Sequence, residues 1–275
     1  MHENRKTGEG VAEAVCLTRP PPMGFTRFVS QTKSISCLVI TIFGFILARM
    51  PAADVRSASR PEMQTLSPKE WTRLMAYHRD QLNVHRADVC FLGDSLTEFW
   101  TAQGKGPWQQ QFRGWRLVNC GIAADRAEHI LFRLNALDLT KAKPRAVVLM
   151  MGTNNLSMEP PDPPAEVAKA CEAALDLIRK ASPETRVLLL TIPPNTDVPN
   201  SALRRSIRAT NELLVKLATQ REISLVDTYP LFVDAKDAWL AGMTLDGTHF
   251  SPDGYEVLAQ AIKPKLVEML GEPPK

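Results

Sequence analysis

The chain is poor in the residues that staple, ligate or bias charge. Its 275 residues include five cysteines and five histidines. No two cysteines form a C-x-x-C pair, so their spacing encodes neither a disulfide framework nor a zinc site. Cys16 and Cys37 lie near the amino end, which leaves Cys90, Cys120 and Cys171 as buried, inert thiols. H-E-x-x-H is missing and His and Asp do not cluster, which argues against a metal-dependent hydrolase. The lack of G-x-S-x-G disfavours the larger α/β-hydrolase fold. The lack of G-x-G-x-x-G and of a Walker A loop argues against a nucleotide cofactor. Neither metal nor cofactor is expected.

A surplus of one charge is missing too. Lys and Arg number 33 against 30 Asp and Glu, a net +3. Residues 1–50 hold six of those cations (Arg5, Lys6, Arg19, Arg27, Lys33, Arg49) and three of the acids (Glu3, Glu9, Glu13), so the remainder is balanced at 27 each. A neutral main domain gives no electrostatic case for nucleic acid.

No apolar run reaches the length of about 20 residues that a membrane-spanning helix needs. The longest, Ile35 to Ala48 (ISCLVITIFGFILA), instead fits the roughly 7–15-residue core of a secretory signal. Arg27 and Lys33 precede it as a basic flank, and the small residues Ala52, Ala53 and Ala58 follow. Residues 1–50 therefore read as a leader, either a signal peptide or a membrane anchor through 35–48. The expected location is periplasmic or secreted, or anchored. A start at Met23 would make MGFTRFVSQTKS an ordinary basic leader. Residues 51–65, rich in Pro, Ala and Ser without periodicity, read as a linker.

The main domain is expected over 66–272. It opens at Ser67-Pro68-Lys69-Glu70, a capping box with Pro at the first helical position. The helix runs to about Val84, with Trp71, Leu74, Met75, His78 and Leu82 on one face. Strand candidates are Asp88–Leu92, Arg116–Asn119, Ala146–Met151, Arg186–Ile192 and Ser224–Val226. Runs such as VVLMM and VLLLTI suit strands buried on both faces. Between them lie helical patterns at Arg126–Leu137, Glu166–Lys180 and Ala202–Gln220. A last helix begins at Ser251-Pro252-Asp253, with Pro264 as a kink site. Alternation of this kind predicts an α/β, three-layer α/β/α sandwich with a five-stranded parallel sheet in flavodoxin-like order.

Four polar segments stand out. Gly93-Asp94-Ser95-Leu96 follows the first strand, Asn119-Cys120-Gly121-Ile122 the second and Gly152-Thr153-Asn154-Asn155 the third, while Asp246-Gly247-Thr248-His249 precedes the last helix. Open α/β sheets place their chemistry at the carboxyl ends of strands. Acyl transfer needs a hydroxyl, a base, an orienting carboxylate and donors for the oxyanion. Ser95 offers the hydroxyl, His249 the base and Asp246 the carboxylate. Donors are the Ser95 N–H, the bare backbone N–H of Gly121 and the Asn154 amide. Asp94 is expected to hold the serine loop through backbone N–H groups. Taken singly, each segment reads as a turn or a polar loop; four in order, each after a strand, do not. His78, His85 and His129 read as structural or solvent-facing.

With those residues in place, the chain resembles the GDSL/SGNH hydrolases, whose four blocks centre on Ser, Gly, Asn and His, here matched by Ser95, Gly121, Asn154 and His249. Within that family, GTNN and the segment NCGIAADRAEHILFRL are similar to the catalytic subunits of platelet-activating-factor acetylhydrolase and their bacterial relatives. Those relatives usually carry Gly-Gly where this chain has Ala123-Ala124, whose methyls would narrow the acyl side of the cleft. The resemblance implies a serine esterase for short acyl groups, acetyl foremost, on a small ester such as an acetylated glycan or lipid. A lysophospholipase or thioesterase for longer chains stays open, as does a catalytically silent glycan-binding module.

Overall fold

The computed structural model describes residues 57–65 and 67–273. The leader, including 35–48 and Met23, lies outside them. No helix among the described residues is long and apolar enough to cross a membrane.

In chain order the elements are α1 (Pro68–His85), β1 (Val89–Gly93), α2 (Ser95–Glu98), α3 (Lys105–Gln111), β2 (Leu117–Gly121), α4 (Ala127–Ala136) and α5 (Leu139–Ala142). They continue with β3 (Ala146–Leu149), α6 (Thr153–Ser157), α7 (Pro164–Ala181), β4 (Arg186–Leu190), α8 (Ala202–Arg221), β5 (Ser224–Val226) and α9 (Pro252–Leu270). All five strands pair in parallel, in the order β2-β1-β3-β4-β5. That is the flavodoxin-like order, and its reversal between β1 and β3 opens a crevice at their carboxyl ends.

Side chains alternate across each strand, and the alternation sorts them into two cores. Cys90 and Leu92 of β1 join Val147, Leu149 and Leu189 under α1, α4, α7 and α8. Val89 and Phe91 face the opposite way, joining Val148, Leu188 and Leu190 under Trp100, Phe112 and α9. Central strands β1 and β3 are buried along their whole length, as parallel strands covered on both faces must be. The free thiols Cys90, Cys120 and Cys171 are buried, and burial pushes the Cys171 thiol up to about 12.

Two features differ from the sequence expectations. Ser67 precedes α1 but makes no side-chain cap; the Glu70 carboxylate that a capping box needs is held by the Arg73 guanidinium at 2.9 Å instead. Next, the stretch expected as a linker, as far as it is described, lies on the domain. Ala58 is fully buried in the core shared with α4 and α7, and Gln64 is 3% exposed.

Candidate active site

Gly93 ends β1 against its neighbours: a Cβ there would fall 2.1 Å from Thr97 Oγ1 and 2.6 Å from the Met150 carbonyl. Asp94 follows and caps α2, its Oδ1 accepting the Leu96 N–H at 3.0 Å. This turn leaves Ser95 as the first residue of α2, above the end of β1. The Tyr255 hydroxyl, from α9, donates to the Leu96 carbonyl at 2.8 Å and ties the serine helix to the last helix.

His249 arrives on the loop between β5 and α9. Its Nε2 lies 3.0 Å from Ser95 Oγ, and its Nδ1 lies 2.8 Å from Asp246 Oδ2. The other carboxylate oxygen of Asp246 accepts the backbone N–H groups of His249 at 2.8 Å and Thr248 at 2.9 Å. Between them Gly247 sits at φ +80°, a conformation that glycine adopts freely. The Phe99 ring stands 5.0 Å from the imidazole, centroid to centroid, and limits how far it can swing. An imidazole that donates its Nδ1–H to a carboxylate keeps Nε2 free to accept a hydroxyl proton.

The two acids differ in their surroundings. Partial burial pushes the Asp246 carboxyl up, but the imidazole and the two backbone N–H groups outweigh it and hold the group below its ordinary range. Asp94 is fully buried, and that burial, reinforced by the Asp125 charge and opposed by backbone N–H groups, Leu96 first, and by the nearby imidazole, pushes its carboxyl up to about 7. Asp94 Oδ2 has no hydrogen-bond partner among the described residues.

The donor side departs from the sequence reading at one residue. Asn154, at the start of α6, gives one amide proton to the Asp125 carbonyl at 2.9 Å; an amide carries two, so the second is available to a ligand. The N–H of Gly121, expected to face substrate, already donates to Asn119 Oδ1 at 2.8 Å. Bareness is required at Gly121 for another reason: a Cβ would lie 2.1 Å from the Glu98 backbone nitrogen. The free donor on this loop belongs to Ala124, which turns at φ +61° and whose N–H has no acceptor among the described residues. Sequence reasoning missed it because alanine seldom occupies that conformation. The available cue was its place beside the second block, directly before Asp125.

Arg133, on α4, was also missed. It is fully buried and donates to the carbonyls of Cys120 at 2.6 Å and Gly93 at 2.8 Å, bridging the ends of β2 and β1. Its Nε stands 2.7 Å from Asp125 Oδ2. Asn155 supports the neighbouring turn, accepting the Ala127 N–H and donating to Glu128 and Asp162. Of the other histidines, His129 Nδ1 accepts the Arg126 N–H at the start of α4. His85 bonds Gln81 on the surface. His78 is buried, and burial, with the nearby Arg133 charge, lowers its pKa to about 3. Among the described residues no His, Cys, Asp and Glu group could hold a metal ion.

A doubly covered parallel sheet with a hydroxyl, an imidazole and a carboxylate in file at its switch point belongs to the class of α/β ester hydrolases. The chain belongs to the GDSL-like lipase/acylhydrolase family, whose model matches residues 91–257, and it is a carboxylic ester hydrolase. It is 28% identical over 188 residues to human platelet-activating factor acetylhydrolase IB subunit alpha2, covering 68% of this chain and 80% of that protein. The rat alpha1 subunit is 30% identical over 186 residues, covering 67% and 77%. Among solved structures, a GDSL-like lipase from Bacteroides thetaiotaomicron has a TM-score of 0.61 at 20% identity, covering 72% of this chain and 98% of that one.

Proposed function

We propose that the protein hydrolyses short-chain acyl esters, acetyl esters foremost, through Ser95, His249 and Asp246. The observation that carries this reading is the relay from Ser95 Oγ to His249 Nε2 and from His249 Nδ1 to Asp246, at 3.0 and 2.8 Å. A hydroxyl is a weak nucleophile until a base takes its proton. Ser95 Oγ attacks the ester carbonyl as its proton passes to Nε2, and Asp246 stabilises the imidazolium. The N–H groups of Ser95 and Ala124 and the free amide proton of Asn154 receive the oxyanion. Collapse expels the alcohol, which takes the proton from His249 and leaves an acyl group on Ser95. Water, deprotonated by the same imidazole, then attacks the acyl carbonyl and frees the acid and the Ser95 hydroxyl. A binding module would have no use for a base aimed at a hydroxyl.

The acetyl preference is supported by the relatives named acetylhydrolases and by the methyls of Ala123 and Ala124 beside the donors. One observation favours a longer acyl chain: Leu245, next to Asp246, is 56% exposed, and Val198 is 59% exposed. An acyl-length series of p-nitrophenyl esters from two to twelve carbons separates the two, with kcat/KM expected to peak at the short end. A maximum at eight carbons or beyond would replace the acetyl reading. Ser95→Ala is expected to abolish turnover while leaving the unfolding midpoint in place; a folded variant that kept most of its activity would remove Ser95 from the mechanism. Export or anchoring through residues 35–48 is part of this proposal, supported by the basic flank and apolar core, and sequencing the amino end of native material tests it.

A further inference from the structure

We propose that Gln64, in the strap ahead of the first helix, is a positioning residue for the oxyanion loop. The inference rests on the esterase reading and extends it to a segment outside the family match at 91–257. Gln64 is 3% exposed, and its Nε2 donates both to the Ala123 carbonyl and to Asp125 Oδ1, each at 3.0 Å. Those two acceptors bracket Ala124, the residue with the free N–H. An alanine at φ +61° is strained, and a strained conformation persists only where its surroundings hold it. The Glu98 carboxylate holds the Ala123 N–H from one side. The Trp71 indole N–H donates to Asp125 Oδ1 at 2.8 Å, and Arg133 pairs with Oδ2. Gln64 closes the remaining side.

The strap is itself anchored. Ala58 is buried in the core, the Glu62 N–H donates to the Glu128 carbonyl at 3.1 Å, and Ser57 Oγ donates to Glu166 at 3.3 Å. Its fixed path delivers Gln64 to the loop. The Asp125 carbonyl also accepts from Asn154, so a shift of this loop moves two oxyanion donors together. Because the oxyanion exists only in the transition state, the effect belongs in kcat and not in KM.

The test compares Gln64→Met, which fills the space without donors, Gln64→Glu, which keeps the shape but sets a carboxylate against Asp125, and Met63→Ala, a change at the half-exposed neighbour. With p-nitrophenyl acetate, Gln64→Met is expected to lose about 10- to 100-fold in kcat, in line with the cost of misplacing a catalytic group by an ångström. KM should stay within about twofold, a split that a structural role alone would not produce. Gln64→Glu should be at least as impaired, and Met63→Ala should match the wild type. A Gln64→Met protein that kept its kcat, or a Gln64→Glu protein milder than Gln64→Met, would overturn the proposal. So would a kcat loss no larger than the fraction unfolded by circular dichroism. Activity that survives Ser95→Ala would instead remove Ser95 from the mechanism, which keeps the two failures apart.

Discussion

At the scale of single residues, the site juxtaposes two carboxylates that solve opposite problems. Asp246 stays charged because an imidazole and two N–H groups face it. Asp94 is sealed in, and burial outweighs its backbone donors and drives it toward its neutral form. The folded state therefore binds the Asp94 proton more tightly than the unfolded chain does. Stability from this group is fully present below about pH 4 and is lost as pH rises to about 7. Asp94→Asn imitates the protonated acid at every pH. The variant should gain on the wild type between pH 4 and pH 7 and hold that advantage above, as read from urea midpoints at pH 4, 5.5 and 8. A variant that fell further behind at pH 8 would mean that Asp94 is ionised and paired.

At the scale of elements, the long helices and buried strands follow their local patterns within a residue or two. The short helices α2, α3, α5 and α6 do not, because four to seven residues are too few to carry a helical period or to be stable in isolation. They form where the sheet and its neighbours hold them. Helix α9 runs on through an exposed Pro264, although proline offers no N–H to the carbonyl four residues earlier and crowds it. Proline costs roughly 3 kcal/mol in a helix interior, and its effect on the unfolded chain returns up to about 1 kcal/mol. Pro264→Ala should therefore stabilise the protein by about 2 kcal/mol, visible as a raised urea midpoint with unchanged slope. An unchanged or lowered midpoint would mean that the helix needs the proline's geometry.

Across the whole molecule, the sheet separates two cores. Ile178 of α7 is fully buried on one face and Ile262 of α9 on the other. Trimming either to alanine should cost about 2–5 kcal/mol. Helices on opposite faces of a sheet are well beyond the 7–10 Å within which mutations couple, so the double variant should equal the sum within about 0.5 kcal/mol. Urea unfolding of the two singles and the double measures this. A deficit well outside the sum would mean that strain crosses the sheet.

The amino-acid sequence alone determined the alternation of helices and strands, the layers this implies, and the four polar segments. Each of these is written locally, in a period of two or 3.6 and in the polar residues that break it. Only the tertiary structure decided which backbone N–H on the second loop is free. That depends on Asn119 turning back to occupy Gly121 and on Gln64 and Trp71, 54 or more positions upstream of their acceptors, holding the turn at Ala124. It also decided that Arg133, at a core-facing position of α4, bridges two strand ends. A buried guanidinium is tolerable only when carbonyls and a carboxylate surround it, and those partners come together only once the sheet and its helices have packed.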